Sequence, residues 1–215
     1  MRRSLNADYL KTHIKEPLEE MATALLEEDG MFSEESIDVV LLLIFTRIDL
    51  LGYLYQGKNA SSNAVEFMRE YLGGIDPRYK EVGGLLYYAL RHGYVHLATP
   101  KRIHLKNGPI LDFSFVTGGH PGKHLTVINK KEIEREGRLK IYRLFVNLSQ
   151  LYKDLLSAID MYAEDIRHNQ ALSDTFWEAF ETRRKPEKAK EEVLLRKAYI
   201  QQSDFDFVRE QISRL

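Results

Sequence analysis

Residues 85–96 carry the sequence LLYYALRHGYVH, in which an apolar segment runs directly into a polar cluster. The apolar half is typical of a buried helix. The polar half places a guanidinium and two imidazoles, from Arg91, His92 and His96, around the glycine at position 93. Because glycine weakens a helix, we expect the helix to loosen at Gly93. The stretch therefore predicts a buried helix that ends in a polar site.

The sequence before this stretch predicts further helices. Ser33 is a favourable N-cap with acidic residues directly after it, and the helix that follows is apolar on most sides from Ile37 to Tyr55. Gln56 and Gly57 are typical of its end. Shorter helical patterns occupy residues 7–28, residues 63–72, and a segment that runs from about residue 79 into residues 85–96.

The sequence after Pro100 changes to alternating β-branched and aromatic residues, which predicts a small antiparallel sheet of two or three strands at about residues 101–129. Helical periodicity returns at Lys130 and continues to about Ile166. We therefore expect a mainly α-helical bundle over residues 1–170 with a β insertion, and a C-terminal helical extension over residues 171–215.

Composition narrows the possible functions. The chain has 215 residues and no cysteine, which excludes disulfides, thiol nucleophiles and cysteine-containing zinc sites. Its 31 basic and 32 acidic residues give a formal charge of −1, so no global field favours nucleic acid, and we expect no DNA binding. The longest apolar run, residues 39–45, is too short to span a bilayer, and no secretory signal is visible. We expect a cytoplasmic protein with no membrane association and no cofactor.

Arg91 and His96 form an Arg-x4-His pattern, which has little specificity by itself. In a regular helix, positions five residues apart are separated by about 140° around the helix axis, so the two side chains would face different sides. A last turn that unwinds at Gly93 would bring His96 back toward Arg91. We therefore predict that the helix unwinds there.

In this context residues 91–96 resemble the motif of the HEPN superfamily, the nucleotide-binding domains of higher eukaryotes and prokaryotes, in a prokaryotic branch. These proteins are helical bundles with an Arg-x4-6-His motif, in which a polar residue often follows the arginine, as His92 does here. The resemblance covers the helices of residues 7–97 and 130–170, with the strands as an insertion. Some toxin-like members have an aromatic residue two places after the histidine, and this chain departs from them with Ala98.

The resemblance implies metal-independent RNA cleavage at a site where two subunits of a homodimer meet. Arg91 and His96 are then the catalytic pair. The imidazole of His96 acts as general base or acid on the ribose 2′-OH and the leaving oxygen, since it titrates near neutral pH. The guanidinium of Arg91 holds the phosphate and stabilises the charge that develops on it.

Three further residues are candidates for support of this pair. His92 and Tyr94 lie within the motif, and Asp49 is an acidic residue in the most apolar helix. A carboxylate there is expected to pair with a cation or a tyrosine of a neighbouring helix, and a pairing with Arg91 or His92 would orient the site. The alternative is that all these groups are structural, with Arg91 and His92 binding carbonyl groups at a helix end.

Two other functions stay open. His92 and His96 have the spacing of two metal ligands on a helix, and His104, His120 and His124 could supply a third, but no cysteine-type pattern supports a metal site. The second alternative is a non-catalytic helical module for interaction, or for binding a nucleotide or a small anion.

Overall fold

A computed structural model of the chain describes residues 2–28, 30–58, 60–97, 99–106, 108–117, 123–131, 140–184, 202, 203, 206 and 209. The chain forms two compact units, Met1–Phe180 and Glu181–Leu215. The first unit is mainly helical with a small sheet. Most of the predicted C-terminal extension, including residues 185–201, lies outside the described residues.

The helices of the first unit are interrupted by short π-helical turns. The α-helices are α1 (Arg2–Leu10), α2 (Glu16–Thr23), α3 (Ile37–Gln56), α4 (Ser61–Phe67), α5 (Gly73–Ile75), α6 (Arg78–Leu86), α7 (His92–Leu97), α8 (Leu148–His168) and α9 (Gln170–Arg184), the last of which extends into the second unit. The π-helical turns are Lys11–Lys15, Met68–Leu72 and Tyr87–Arg91, and a 3-10 turn occupies Glu34–Ser36. Among the described residues, no helix has both the length and the apolar character needed to cross a membrane.

Helix α3 is the central helix of the bundle, and its predicted end is confirmed, whereas the predicted N-cap Ser33 caps the 3-10 turn that leads into it. The side chain of Ser33 accepts a hydrogen bond from the amide of Ser36 at the start, and Gly57 ends the helix with a left-handed φ of 72°. Helix α4 crosses α3 at Gly52, where an added Cβ would lie 2.5 Å from the amide nitrogen of Ala64. Glycine is therefore required at this crossing.

Helices α1 and α8 pack side by side, although they come from opposite ends of the unit. The buried side chain of Asn6 on α1 donates hydrogen bonds to the carbonyl and the hydroxyl of Ser173 on α9. Phe176 of α9 is also buried and contacts Tyr162 of α8, with ring centroids 6.4 Å apart. The start of the predicted extension thus packs on the bundle of the same chain.

The sheet differs from the prediction in its extent and its topology. Its strands are β1 (Ile103–His104), β2 (Ile110–Val116), β3 (Thr126–Lys131) and β4 (Lys140–Asn147), in the order β1-β2-β4-β3. The pairs β1–β2 and β3–β4 are antiparallel, but β2 and β4 are parallel. The sheet is therefore mixed, and it extends beyond the region predicted for it.

The helix predicted from Lys130 onward is wrong for residues 140–147, which form strand β4. Ile141, Leu144 and Leu148 recur at three to four residues, which fits a helix, and all three are buried. The intervening residues are rich in β-branched and aromatic side chains, and two neighbouring strands pair with this segment. Tertiary pairing therefore overrides the local period, and the helix begins only at Leu148.

Candidate functional site

Asp49 of α3 and Arg91 at the end of a π-helical turn form an ion pair. Nε of Arg91 donates to Oδ2 of Asp49 at 2.8 Å, and the hydroxyl of Tyr87 donates to Oδ1 at 2.5 Å. The side chains of Arg91 and Asp49 are 25% and 27% exposed. This is the pairing with a cation and a tyrosine that the sequence predicts for Asp49. The carboxylate therefore holds the guanidinium at the edge of the bundle.

The π-helical turn Tyr87–Arg91 positions both partners of Asp49. Tyr87 and Arg91 are four residues apart, so they project from the same side of the turn toward α3. Burial, and next the hydrogen bond to Asp49, raise the pKa of the Tyr87 phenol, so this hydroxyl stays protonated and donates. Single π turns inside α-helices are frequent at functional sites.

The other residues of the motif are distributed differently. The ring of His92 lies 5.6 Å from that of Tyr87 and 6.0 Å from that of Tyr88, so His92 borders the ion pair. Tyr94 is buried, and its ring packs edge-on against Phe115 of β2 at 6.0 Å. Burial and the nearby Asp38 raise the pKa of Tyr94. Tyr94 is therefore a core residue, whereas His92 belongs to the surroundings of Arg91.

The predicted unwinding at Gly93 is wrong, because α7 runs as a continuous α-helix from His92 to Leu97. The glycine has another role. An added Cβ would lie 2.4 Å from the carbonyl oxygen of Thr99 and 2.9 Å from the amide nitrogen of Lys101. The amide of Lys101 in turn donates to the carbonyl of Ala89 at 3.0 Å. Gly93 thus lets the chain cross closely over the helix that it has just left.

The side chain of His96 lies outside the described residues, although its backbone belongs to α7. Among the histidines considered as metal ligands, His120 also lies outside the described residues and His104 is exposed on β1. Within the described part of the chain, no three histidine or acidic side chains are grouped as a metal site.

A second polar cluster, which sequence reasoning missed, joins helices α6 and α8 to the sheet. The hydroxyl of Tyr79 lies 2.8 Å from Nε2 of His124 and donates to Oδ2 of Asp154 at 2.9 Å. Oδ1 of Asp154 accepts from the Gln150 amide at 2.7 Å. Tyr79, His124 and Asp154 are 0%, 1% and 3% exposed. Three titratable groups thus form one buried hydrogen-bonded chain.

The hydrogen bonds of this cluster assign its protons. The backbone amide of Asn147 donates to Nδ1 of His124 at 3.2 Å, so the ring proton is on Nε2 and points at the Tyr79 oxygen. The Tyr79 hydroxyl in turn donates its hydrogen bond to Oδ2 of Asp154. Burial lowers the pKa of His124, against the opposing effect of Asp154, so the imidazole is held neutral. Burial and Asp154 raise the pKa of Tyr79 well above its ordinary value.

A cavity of about 360 Å³ opens beside this cluster, lined by residues of the α6 start, of α8 and by His124. Arg78 closes one side of it. Its guanidinium binds both carboxylate oxygens of Asp76, and Nη1 donates to the His124 carbonyl. Every polar side chain of the Tyr79–His124–Asp154 chain already has a partner. The cluster therefore stabilises the junction of helix and sheet, and its polar groups do not require a ligand.

No protein-family model, no curated protein and no solved structure matches this chain. The resemblance to HEPN proteins therefore depends on the residues around Arg91 alone.

Proposed function

We propose that this protein is a HEPN-like homodimer that binds single-stranded RNA at Arg91 and cleaves it without a metal ion. The observation that supports the proposal is the way in which Asp49 holds Arg91. Its bond is to Nε, and within the described part of the chain no group bonds to Nη1 or Nη2. The free edge of the guanidinium matches two oxygens of a phosphate, while Asp49 fixes its direction.

The proposed reaction is an intramolecular transfer of the phosphoryl group from the 5′-oxygen to the 2′-oxygen of the RNA. The 2′-oxygen attacks the neighbouring phosphorus as a base removes its proton, and the bond to the 5′-oxygen breaks as an acid supplies a proton to that oxygen. A cyclic phosphate and a 5′-hydroxyl result. His96 is the proposed proton carrier, because imidazole exchanges protons near neutral pH. Arg91 stabilises the extra charge on the phosphate oxygens.

The continuity of helix α7 affects whether Arg91 and His96 can act from the same subunit. Arg91 directly precedes α7 and His96 lies within it, and α-helical positions that are five residues apart are separated by about 140° around the axis. We therefore propose that Arg91 of one subunit and His96 of the other act on the same phosphate. This arrangement makes the homodimer a requirement for cleavage, although not for binding of RNA by Arg91.

The second candidate is a non-catalytic module that binds a nucleotide or another phosphate at Arg91. The continuous course of α7 through Gly93 favours it, because the loosening that would bring both side chains together in one chain is not present there. In this case Arg91 binds phosphate and His96 has no part in proton transfer.

One experiment separates the two candidates. Wild type, Arg91→Ala and His96→Ala are incubated with a labelled single-stranded RNA in EDTA, and both binding and cleavage are measured. For the nuclease we expect cleavage by wild type, loss of cleavage in both variants, and loss of binding only in Arg91→Ala. Binding without cleavage by wild type selects the second candidate.

Arg102→Ala is the matched control, because Arg102 also pairs with a carboxylate, Asp112, at 3.3 Å, but on the sheet. It removes the same charge and should leave binding and cleavage unchanged. Equal binding by wild type and Arg91→Ala would exclude both candidates.

A further inference from the structure

Tyr88 differs from the other aromatic residues of the chain in its exposure to solvent. Within the described part of the chain, every phenylalanine, every tryptophan and every other tyrosine is buried or half-buried, whereas 50% of Tyr88 is exposed. Tyr88 belongs to the same π-helical turn as Arg91 and precedes it by three residues. The exposed ring thus lies in the segment that carries the proposed phosphate site.

A series of contacts links Tyr88 to the ion pair of Arg91. The imidazole of His92 has its centroid 6.0 Å from that of the Tyr88 ring and 5.6 Å from that of the Tyr87 ring. The hydroxyl of Tyr87 in turn donates to Asp49, which binds Nε of Arg91. The exposed ring and the guanidinium are therefore parts of one connected cluster of side chains.

Lys101 covers one face of the Tyr88 ring. Its ammonium group lies 5.0 Å from the ring centroid, within the range of a cation–π contact. The backbone of Lys101 is fixed as well, because its amide donates to the carbonyl of Ala89, the residue next to Tyr88, at 3.0 Å. The ring of His92 is inclined by 57° to that of Tyr88, so it is not stacked flat on it. Because half of Tyr88 is still exposed, the ring face opposite Lys101 is open to solvent.

We propose that this open face of Tyr88 stacks on the base of the nucleotide whose phosphate Arg91 binds. The stacking rests on the proposed function and holds for either of its candidates, since both place a phosphate on Arg91. The base and the phosphate of one nucleotide are joined through the ribose, so an aromatic face beside a phosphate site is placed to meet a base. Every base has such a face, and a duplex covers it, so Tyr88 selects unpaired nucleotides without selecting a sequence.

The test compares the binding of two single-stranded probes that carry the same charge. One is a short oligouridylate, and the other is an abasic oligomer with the same sugar-phosphate backbone. Both carry 2′-O-methyl groups, so the 2′-oxygen cannot attack the phosphate and neither probe is cleaved. Fluorescence anisotropy gives the dissociation constant of each. We expect wild type to bind the oligouridylate about tenfold more tightly than the abasic oligomer, which is the effect of one stacked base.

Substitutions of Tyr88 test the ring itself. Tyr88→Leu keeps an apolar side chain but removes the ring, so it should bind both probes with the affinity that wild type has for the abasic one. Tyr88→Phe is the matched control, because it keeps the ring and should keep the tenfold preference. Arg91→Ala should weaken the binding of both probes. Half of Tyr88 lies in solvent, so its variants should fold, which far-UV circular dichroism verifies.

The outcomes distinguish the stacking from the phosphate site. Equal binding of the two probes by wild type, or an unchanged preference in Tyr88→Leu, would overturn the stacking and leave the phosphate site in place. No binding of either probe by wild type, or the same affinities in wild type and Arg91→Ala, would overturn the phosphate site and the stacking with it. A wild-type dimer that becomes a monomer in Tyr88→Leu, on size-exclusion chromatography, would place the ring in a subunit contact and also overturn the stacking.

Discussion

The hydroxyl of Tyr79 lies 2.8 Å from Nε2 of His124, although the two residues are 45 positions apart and almost no surface of either is exposed. His124 receives a backbone hydrogen bond on its other nitrogen, so it fits this place only as a neutral ring. A second proton on Nδ1 would face an amide that is itself a donor. The junction of helix and sheet is therefore sensitive to acid.

Acidification should destabilise the first unit through His124. Its pKa in the folded chain is below the ordinary 6.5, so the unfolded chain binds the proton more tightly. The contribution of neutral His124 to the free energy of unfolding is therefore present above about pH 6.5, the pKa in the unfolded chain. It is lost as the pH falls through the pKa in the folded chain. Denaturant midpoints measured from about pH 8 to about pH 5 should show this decrease.

His124→Gln is the control for this titration. Glutamine can accept from the Asn147 amide and donate toward Tyr79, but it does not titrate. The variant should lose most of the pH dependence between about pH 7 and pH 5. If the denaturant midpoint of His124→Gln fell with pH as steeply as that of wild type, groups other than His124 would be responsible for the pH dependence.

Replacement of Asp49 should affect both stability and RNA binding. Asp49→Asn removes the charge that holds Arg91, and because the pair is partly exposed we expect a loss of only about 1 kcal/mol in the free energy of unfolding. RNA affinity should fall several-fold, because the guanidinium is no longer fixed. Tyr87→Phe keeps the Arg91 bond and should retain RNA affinity, as fluorescence anisotropy can measure. Similar losses in both variants would mean that the orientation of Arg91 is unimportant.

Gly93→Ala should destabilise the protein. Alanine normally stabilises a helix relative to glycine, but here the new methyl group meets the backbone of Thr99 and Lys101, and overpacking of this kind costs about 1–3 kcal/mol. Gly83→Ala is the comparison, because its Cβ would lie at an ordinary 3.6 Å from that of Met68. Thermal unfolding should show a lower midpoint for Gly93→Ala and an equal or higher one for Gly83→Ala. A stabilised Gly93→Ala would contradict the close crossing.

The salt dependence of RNA binding should be shallow. Arg91 is the one cation that the proposal places on a phosphate, so few phosphates should be neutralised in the complex. If Arg91 neutralises one phosphate, Arg91→Ala should reduce the slope of log K against log salt by about 0.7. Titrations at several salt concentrations give both slopes, with Arg102→Ala as the control. An equal slope in wild type and Arg91→Ala would show that Arg91 contacts no phosphate.

Features with local signals could be predicted from the sequence. The end of α3 follows from Gly57, and the 3-10 turn that leads into the helix follows from the Ser33 cap, because both residues act on neighbours within a few positions. The pairing of Asp49 was predictable because a carboxylate in an apolar helix needs a partner. Strand β4 was not predictable, because its buried residues fit a helical period as well, and its pairing with β2 depends on distant residues.

The cluster of Tyr79, His124 and Asp154 has only a weak signal in the sequence. Its members are widely separated in the sequence, and each has ordinary neighbours: Asp154, for example, lies in an amphipathic helix. Only the packing of α6 against α8 and the sheet brings them together. Asp154 could have attracted attention as an acidic residue on the buried face of α8, next to Leu151 and Leu155.

The packing of α1 on α8 has a consequence for biosynthesis. Asn6 binds Ser173, which follows it by 167 residues. At about 5–20 residues per second, a ribosome needs on the order of ten to thirty seconds to supply that partner. Helix α1 therefore leaves the ribosome well before Ser173 does, and its buried face, with Ala7 and Leu10, has to stay soluble during that interval.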